Sequence, residues 1–247
     1  LEAFAEAGCV PMPSLAGDAL GRAVVRETDS SKGSFGPEAI GDVLRAFRRA
    51  GVAPANAVKD ALARAAVFEA PRMTPKNIAG VMEGYAAAGE SPPWSVVSAA
   101  VDAVAREAVN MDADEIADVV GAFARARVCG KLSAVAKSGL DDAVAREAPR
   151  MYARDVAAVT RAYADCGEGA PGHGSLKPLV QAAMDTAASM HPVDAQSTLS
   201  ALRKMGGGDG KTRKALEAAA SATSDQAMGL RRSMSPKEKR DAKRGDE

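Results

Sequence analysis

Histidine and the aromatic residues are scarce in this chain. Its 247 residues include two His, one Trp, three Tyr and five Phe. Two histidines are too few for a histidine-based site, and one tryptophan leaves little with which to stack nucleic-acid bases. Cysteine is nearly as rare. Cys9, Cys129 and Cys166 are odd in number and form no CxxC, so the expectation is free thiols in a reducing compartment and no disulfide framework. No stretch approaches 18 uninterrupted apolar residues, which leaves no candidate membrane span. Net charge is missing too: 32 Lys and Arg face 32 Asp and Glu. A nucleic-acid module usually carries a basic stripe, because released counterions supply most of its non-specific affinity.

Signals for chemistry are equally thin. Gly206 to Thr212 reads GGGDGKT, close to a phosphate-cradling P-loop. That motif needs its first glycine at position 205, where Met205 stands, and it should follow a strand. A flexible turn is the expectation. Cys166 with His173 could hold a metal only with partners the chain does not place nearby. The acid pairs Asp114-Glu115 and Asp141-Asp142 fit helix starts, where negative charge favours the macrodipole. No GxSxG, HExxH or Ser/His/Asp frame is present. The chain reads as a non-enzyme that calls for no cofactor and no metal.

What is present is a repeat. Phe35, Met73, Met111, Met151 and Met190 open five similar segments, spaced 38, 38, 40 and 39 residues apart. Five residues on come Ile40, Ile78, Ile116, Val156 and Ala195; twelve on come Phe47, Tyr85, Phe123, Tyr163 and Leu202. Sixteen on stand Gly51, Gly89, Arg127, Gly167 and Gly206. Such offsets return to one face of a helix with 3.6 residues per turn. Each unit therefore starts with helix A near its opener, aided by Pro37, Pro75 or Pro192 in the first turn, and stops at a glycine suited to the left-handed C′ position. A second helix, B, follows, and two of these end in the same words: DAVAREA at 102–108 and at 142–148. Ala70-Pro71-Arg72-Met73 recurs as Ala148-Pro149-Arg150-Met151, where proline marks the break before the next A helix.

One helical hairpin cannot bury its own apolar stripe, so neighbours must stack. The expectation is an all-α chain, a right-handed α-solenoid of about five helix-turn-helix repeats of 38–40 residues. The units are 35–72, 73–110, 111–150, 151–189 and 190–230. Residues 1–34 form a partial first repeat and loop, with Leu1 to Gly8 matching the tail of an A helix and the extra residues falling in Asp29 to Ser34. Because the chain opens inside a repeat without an initiator Met, it reads as a fragment or processed product, with any targeting peptide upstream. Residues 231–247 hold seven Lys/Arg against four Asp/Glu and read as a charged, disordered tail.

A helical hairpin of 38 residues resembles the octotricopeptide repeat proteins of algal organelles, and the related heptatricopeptide and FAST-kinase-like repeats. The resemblance rests on Met73-Thr74-Pro75-Lys76-Asn77-Ile78-Ala79 leading to Tyr85-Ala86-Ala87-Ala88-Gly89, and on Ser91-Pro92-Pro93-Trp94 at the start of a B helix. It covers nearly the whole chain up to about residue 230. The tryptophan common inside the family's helix A is absent, and one repeat alone keeps the Pro-Pro-Trp start. The resemblance implies a mitochondrial or chloroplast protein that binds single-stranded or ribosomal RNA, as a non-catalytic adaptor in RNA maturation, stability or translation.

Helical-repeat RNA binders of other kinds read about one base per repeat from one helix. The corresponding positions lie ten and fourteen residues after each opener: Arg45/Arg49, Glu83/Ala87, Gly121/Arg125, Arg161/Asp165 and Ser200/Lys204. Lys76 and Arg154, three residues after their openers, extend the row. The candidate contacts are thus Arg45, Arg49, Lys76, Arg125, Arg154, Arg161 and Lys204. Against them, Glu83 and Asp165 interrupt the row. The charge balance favours a protein-interaction scaffold, such as a structural subunit of an organellar ribosome or another large assembly, whose partners are other proteins of a ribonucleoprotein or large assembly.

Overall fold

A computed structural model describes residues 14–29, 35–167 and 174–221. The matched tail at Leu1–Gly8, Cys9, His173 and the charged segment 231–247 lie outside them. Among the described residues there are eleven α-helices and no strand. They are α1 (Ser14–Asp29), α2 (Pro37–Arg49), α3 (Asn56–Glu69), α4 (Pro75–Ala88), α5 (Trp94–Glu107) and α6 (Ala113–Arg125), then α7 (Ala134–Glu147), α8 (Ala153–Cys166), α9 (Leu176–Thr186), α10 (Pro192–Lys204) and α11 (Gly210–Ala220). The even-numbered helices are the A helices of the five units and the odd-numbered ones the B helices. Each A helix packs chiefly on the A helix of the next unit, from α2 through α4, α6 and α8 to α10. The B helices α1, α3, α5 and α7 pack in the same order, and α9 lies against α11.

The repeated stripe is the core. The residues twelve after each opener, Phe47, Tyr85, Phe123, Tyr163 and Leu202, are at most 2% exposed. Ile40, Ile78, Ile116, Val156 and Ala195 are fully buried, as are the openers Met73 and Met111 within a few per cent. Burying one Leu- or Phe-sized side chain stabilises by about 1.5–3 kcal/mol, so most of the stability lies between units. Between α2 and α4 the backbones meet. A Cβ on Gly41 would lie 2.5 Å from the Gly80 carbonyl oxygen, and one on Gly84 would lie 2.9 Å from the Gly41 Cα.

The helix ends follow the expected chemistry with some corrections. Thr74 with Asn77 and Asp112 with Glu115 form reciprocal capping boxes on α4 and α6. All five residues sixteen after the openers have positive φ, from 59° to 71°. Four are glycine and one is Arg127, at φ 59°, so the geometry persists where the residue suited to it does not. The B helices α3, α5, α7 and α9 each run into a 3₁₀ turn, at Ala70–Arg72, Ala108–Asn110, Ala148–Arg150 and Ala187–Ser189, and two of these turns contain no proline. The break therefore occurs with or without proline. Asp141 and Asp142 do not begin a helix. They sit in the middle of α7, where Asp141 accepts a hydrogen bond from the Ser175 hydroxyl. Asp29, placed in a loop by sequence, is the last residue of α1.

The cysteines correct the sequence expectation most sharply. Cys129, in the 3₁₀ turn after α6, and Cys166, at the end of α8, form a disulfide with Cα atoms 5.5 Å apart. Neither has a partner nearby in sequence: they are separated by 37 residues, about one repeat. Counting cysteines and looking for CxxC could not reveal a pair brought together by stacking.

Candidate nucleic-acid interface

Stacking the A helices brings the expected cations to the seams between them. On α2, the half-buried Arg45 pairs with Asp42 at 2.5 Å and donates across to the Gly80 carbonyl of α4 at 3.4 Å. Arg125 of α6 donates to Glu83 of α4. Arg161 of α8 donates to the Ser197 hydroxyl of α10 at 3.0 Å and stands 3.9 Å from Asp194. Lys204 of α10 is 3.9 Å from Asp165 of α8. Thus the residues that interrupt the basic row in sequence, Glu83 and Asp165, are partners of that row across the seams.

Arg49, Lys76 and Arg154 are exposed and belong to different places. Arg49 ends α2, whereas Lys76 and Arg154 occupy the first turns of α4 and α8. Each of the latter two follows an exposed arginine of a 3₁₀ turn, Arg72 or Arg150. Exposed aromatics lie alongside: Phe68, 67% exposed with the Arg72 guanidinium 6.0 Å from its ring centre, and Tyr152, 80% exposed. Between these two basic turns the third unit carries Asp112, Asp114 and Glu115 at the start of α6.

The electrostatics of the second seam are acidic. Partial burial raises the Asp118 carboxyl above the ordinary value, and the neighbouring Glu83 and Asp114 push it the same way, while Arg125 opposes them. Exposed ion pairs contribute about 0–1 kcal/mol each. The side chains of Arg125, Arg161 and Lys204 are 52–63% exposed, so a phosphate could displace their carboxylates at little cost. The displaced acids would still face it, which limits the gain.

Sequence reasoning missed a second set of arginines. Arg106 Nη2 donates to the carbonyls of Ala70 at 3.2 Å and Met73 at 3.0 Å, while its Nε meets Glu107 at 2.8 Å. Arg146, forty residues later, donates to the carbonyls of Val109, at 2.7 Å, and Met111, with its Nε 2.8 Å from Glu147. These are the arginines of the two DAVAREA words. The verbatim repetition was the available signal, and its cause is that each satisfies carbonyls left over by the preceding 3₁₀ turn. Trp94, 64% exposed, has the Lys131 ammonium 5.7 Å from its ring centre at the opposite ends of the helices.

The GGGDGKT segment forms the turn between α10 and α11 and the first residues of α11. Asp209 caps α11 by accepting from the Thr212 amide at 2.7 Å, and this bond holds its carboxyl below the ordinary value. Among the described residues no group of three or more His, Cys, Asp or Glu is placed to hold a metal, and no helix is long and apolar enough to cross a membrane. Comparison with protein-family models and with curated proteins finds no match for this chain.

Proposed function

We propose that this chain is a right-handed α-solenoid serving as a non-catalytic adaptor on organellar RNA, with a single-stranded stretch lying along the exposed A-helix face. The observation that carries the reading is the placement of cations at three of the four A-helix seams: Arg45 between α2 and α4, Arg125 between α4 and α6, and Arg161 and Lys204 between α8 and α10. Helical repeats that read one base per unit do so from side chains that recur on one helix face, and these four share that face. The resemblance to octotricopeptide repeats supports RNA as the partner and a mitochondrion or chloroplast as the place.

The pairing of the same cations favours a second reading, a protein-interaction scaffold within a ribosome or other ribonucleoprotein. Charges spent on neighbouring helices, in a chain with none in excess, suit a surface that meets protein.

A titration of fluorescent single-stranded RNA separates the two. If four cations neutralise four phosphates, affinity should fall about 50-fold between 50 and 200 mM salt. Changing Arg45, Arg125, Arg161 and Lys204 together to Ala should remove most of that dependence. Undiminished binding by the quadruple variant would discard the A face. No binding at any salt, with ribosomal proteins co-purifying instead, would establish the scaffold.

A further inference from the structure

A cavity of about 520 Å³ lies among α1, the end of α2 and the start of α3. Its walls are apolar: Val25, Phe47, Val52 and Val58, with Gly21 where a side chain would otherwise enter. The repeat explains why no side chain of the described residues fills it. A shift of 38 residues, which carries Val24 onto Leu62 and Arg26 onto Arg64, carries Gly21 onto Lys59 and Val52 onto Glu90. One repeat later the Lys59 ammonium and the Glu90 carboxylate meet at 2.6 Å, both half-buried. Gly21 and Val52 supply neither member of the pair, while the walls are kept: Phe47 corresponds to Tyr85 and Val58 to Val96, each buried.

We propose that this cavity binds a small amphipathic anion, an apolar chain ending in a carboxylate. Its volume falls in the range of ordinary ligand sites, roughly 300–1,000 Å³. Its walls suit an alkyl body, which gains about 0.8 kcal/mol per buried CH₂. Arg22 and Arg26 also line it and are exposed, so two cationic side chains border an otherwise apolar space. Glu27 lies 3.7 Å from Arg26, an exposed and weak pair. A neutral apolar ligand would leave both arginines unused, whereas a carboxylate can accept from either. None of Arg45, Arg125, Arg161 and Lys204 lines this site, so it does not rest on the RNA reading.

Decanoate and 1-decanol are the probes, titrated calorimetrically into the full chain. Decanoate should show one saturable site. The double variant Gly21→Lys/Val52→Glu rebuilds the pair of the next unit inside the cavity, and should weaken decanoate at least tenfold. Val52→Phe fills the space without adding charge and should do the same, which guards against a misfolded double variant. Arg22→Gln/Arg26→Gln should weaken decanoate roughly three- to tenfold and leave decanol unchanged. Absence of saturable decanoate binding overturns the proposal. So does binding that survives both filling variants, or an arginine variant that weakens the alcohol and the acid alike.

Discussion

The turn joining the second and third units and the turn joining the third and fourth are built on the same plan and secured differently. At the first, Arg146 reaches back from α7 to the carbonyls of Val109 and Met111. At the second, the equivalent position on α9 is Asp185, which bonds Gln181 on its own helix. The third and fourth units are tied instead by the Cys129–Cys166 disulfide, by Ser175 on Asp141 and by the Tyr163 hydroxyl on the Leu140 carbonyl at 3.4 Å. The difference teaches that the period fixes the buried stripe while leaving the chemistry of each junction free. In a chain whose units contact their neighbours, stability is then a sum of unlike junctions, and each can be weakened separately.

The largest effect should come from the covalent tie. Closing a loop of about 37 residues in the unfolded chain is worth about 4 kcal/mol on the chain-entropy account. Urea unfolding with and without a thiol reductant should show that loss, and Cys166→Ser should show it without further change on reduction. Equal midpoints in all three conditions would mean the bond contributes nothing. Next in size is Arg146→Ala. It removes charged donors from two carbonyls, and because the side chain is about one-third exposed the cost should be about 1–2 kcal/mol. Arg106→Ala should match it, since the two arginines do the same work one repeat apart. If Arg146→Ala costs nothing while Arg106→Ala does, the junctions differ more than the shared words imply.

The parts of this fold that were legible in sequence are those set by local periodicity. Offsets of five, twelve and sixteen residues state which side chains face inward and where each A helix stops, and Ile78, Tyr85 and Gly89 behave accordingly. Even Arg127 adopts the conformation that its glycine counterparts suggest. The illegible parts depend on what one unit meets in the next. Cys129 finds Cys166, Arg125 finds Glu83, and Asp141 is drawn into the middle of a helix where Ser175 reaches it. Residue type alone marks Asp141-Asp142 as a helix start, yet the helix had already begun at Ala134. The candidate RNA row shows the same limit. Its cations were visible, but their acidic partners could be recognised only once the A helices were laid side by side.

The smallest effect compares Tyr85 with Tyr163, the same position two units apart. Both rings are buried, but the Tyr85 hydroxyl has no hydrogen-bond partner, whereas that of Tyr163 donates to Leu140. An unsatisfied buried hydroxyl costs about 1–3 kcal/mol, and a satisfied one contributes about 1 kcal/mol. Tyr85→Phe should therefore leave stability unchanged or raise it by about 1 kcal/mol, while Tyr163→Phe should lower it by about 1 kcal/mol. Alkali sharpens the test. Burial pushes the Tyr85 hydroxyl up to about 12, against about 10 in the unfolded chain. The stability held below pH 10 is accordingly lost as the pH climbs towards 12, because only the unfolded chain gives up the proton readily. Burial moves Tyr163 in the same direction. Each Phe variant should flatten part of that alkaline decline, and Tyr85→Phe should do so without the penalty at neutral pH. A loss on Tyr85→Phe as large as that on Tyr163→Phe would show that the Tyr85 hydroxyl has found a partner, and that the two units are more alike than their hydrogen bonds indicate.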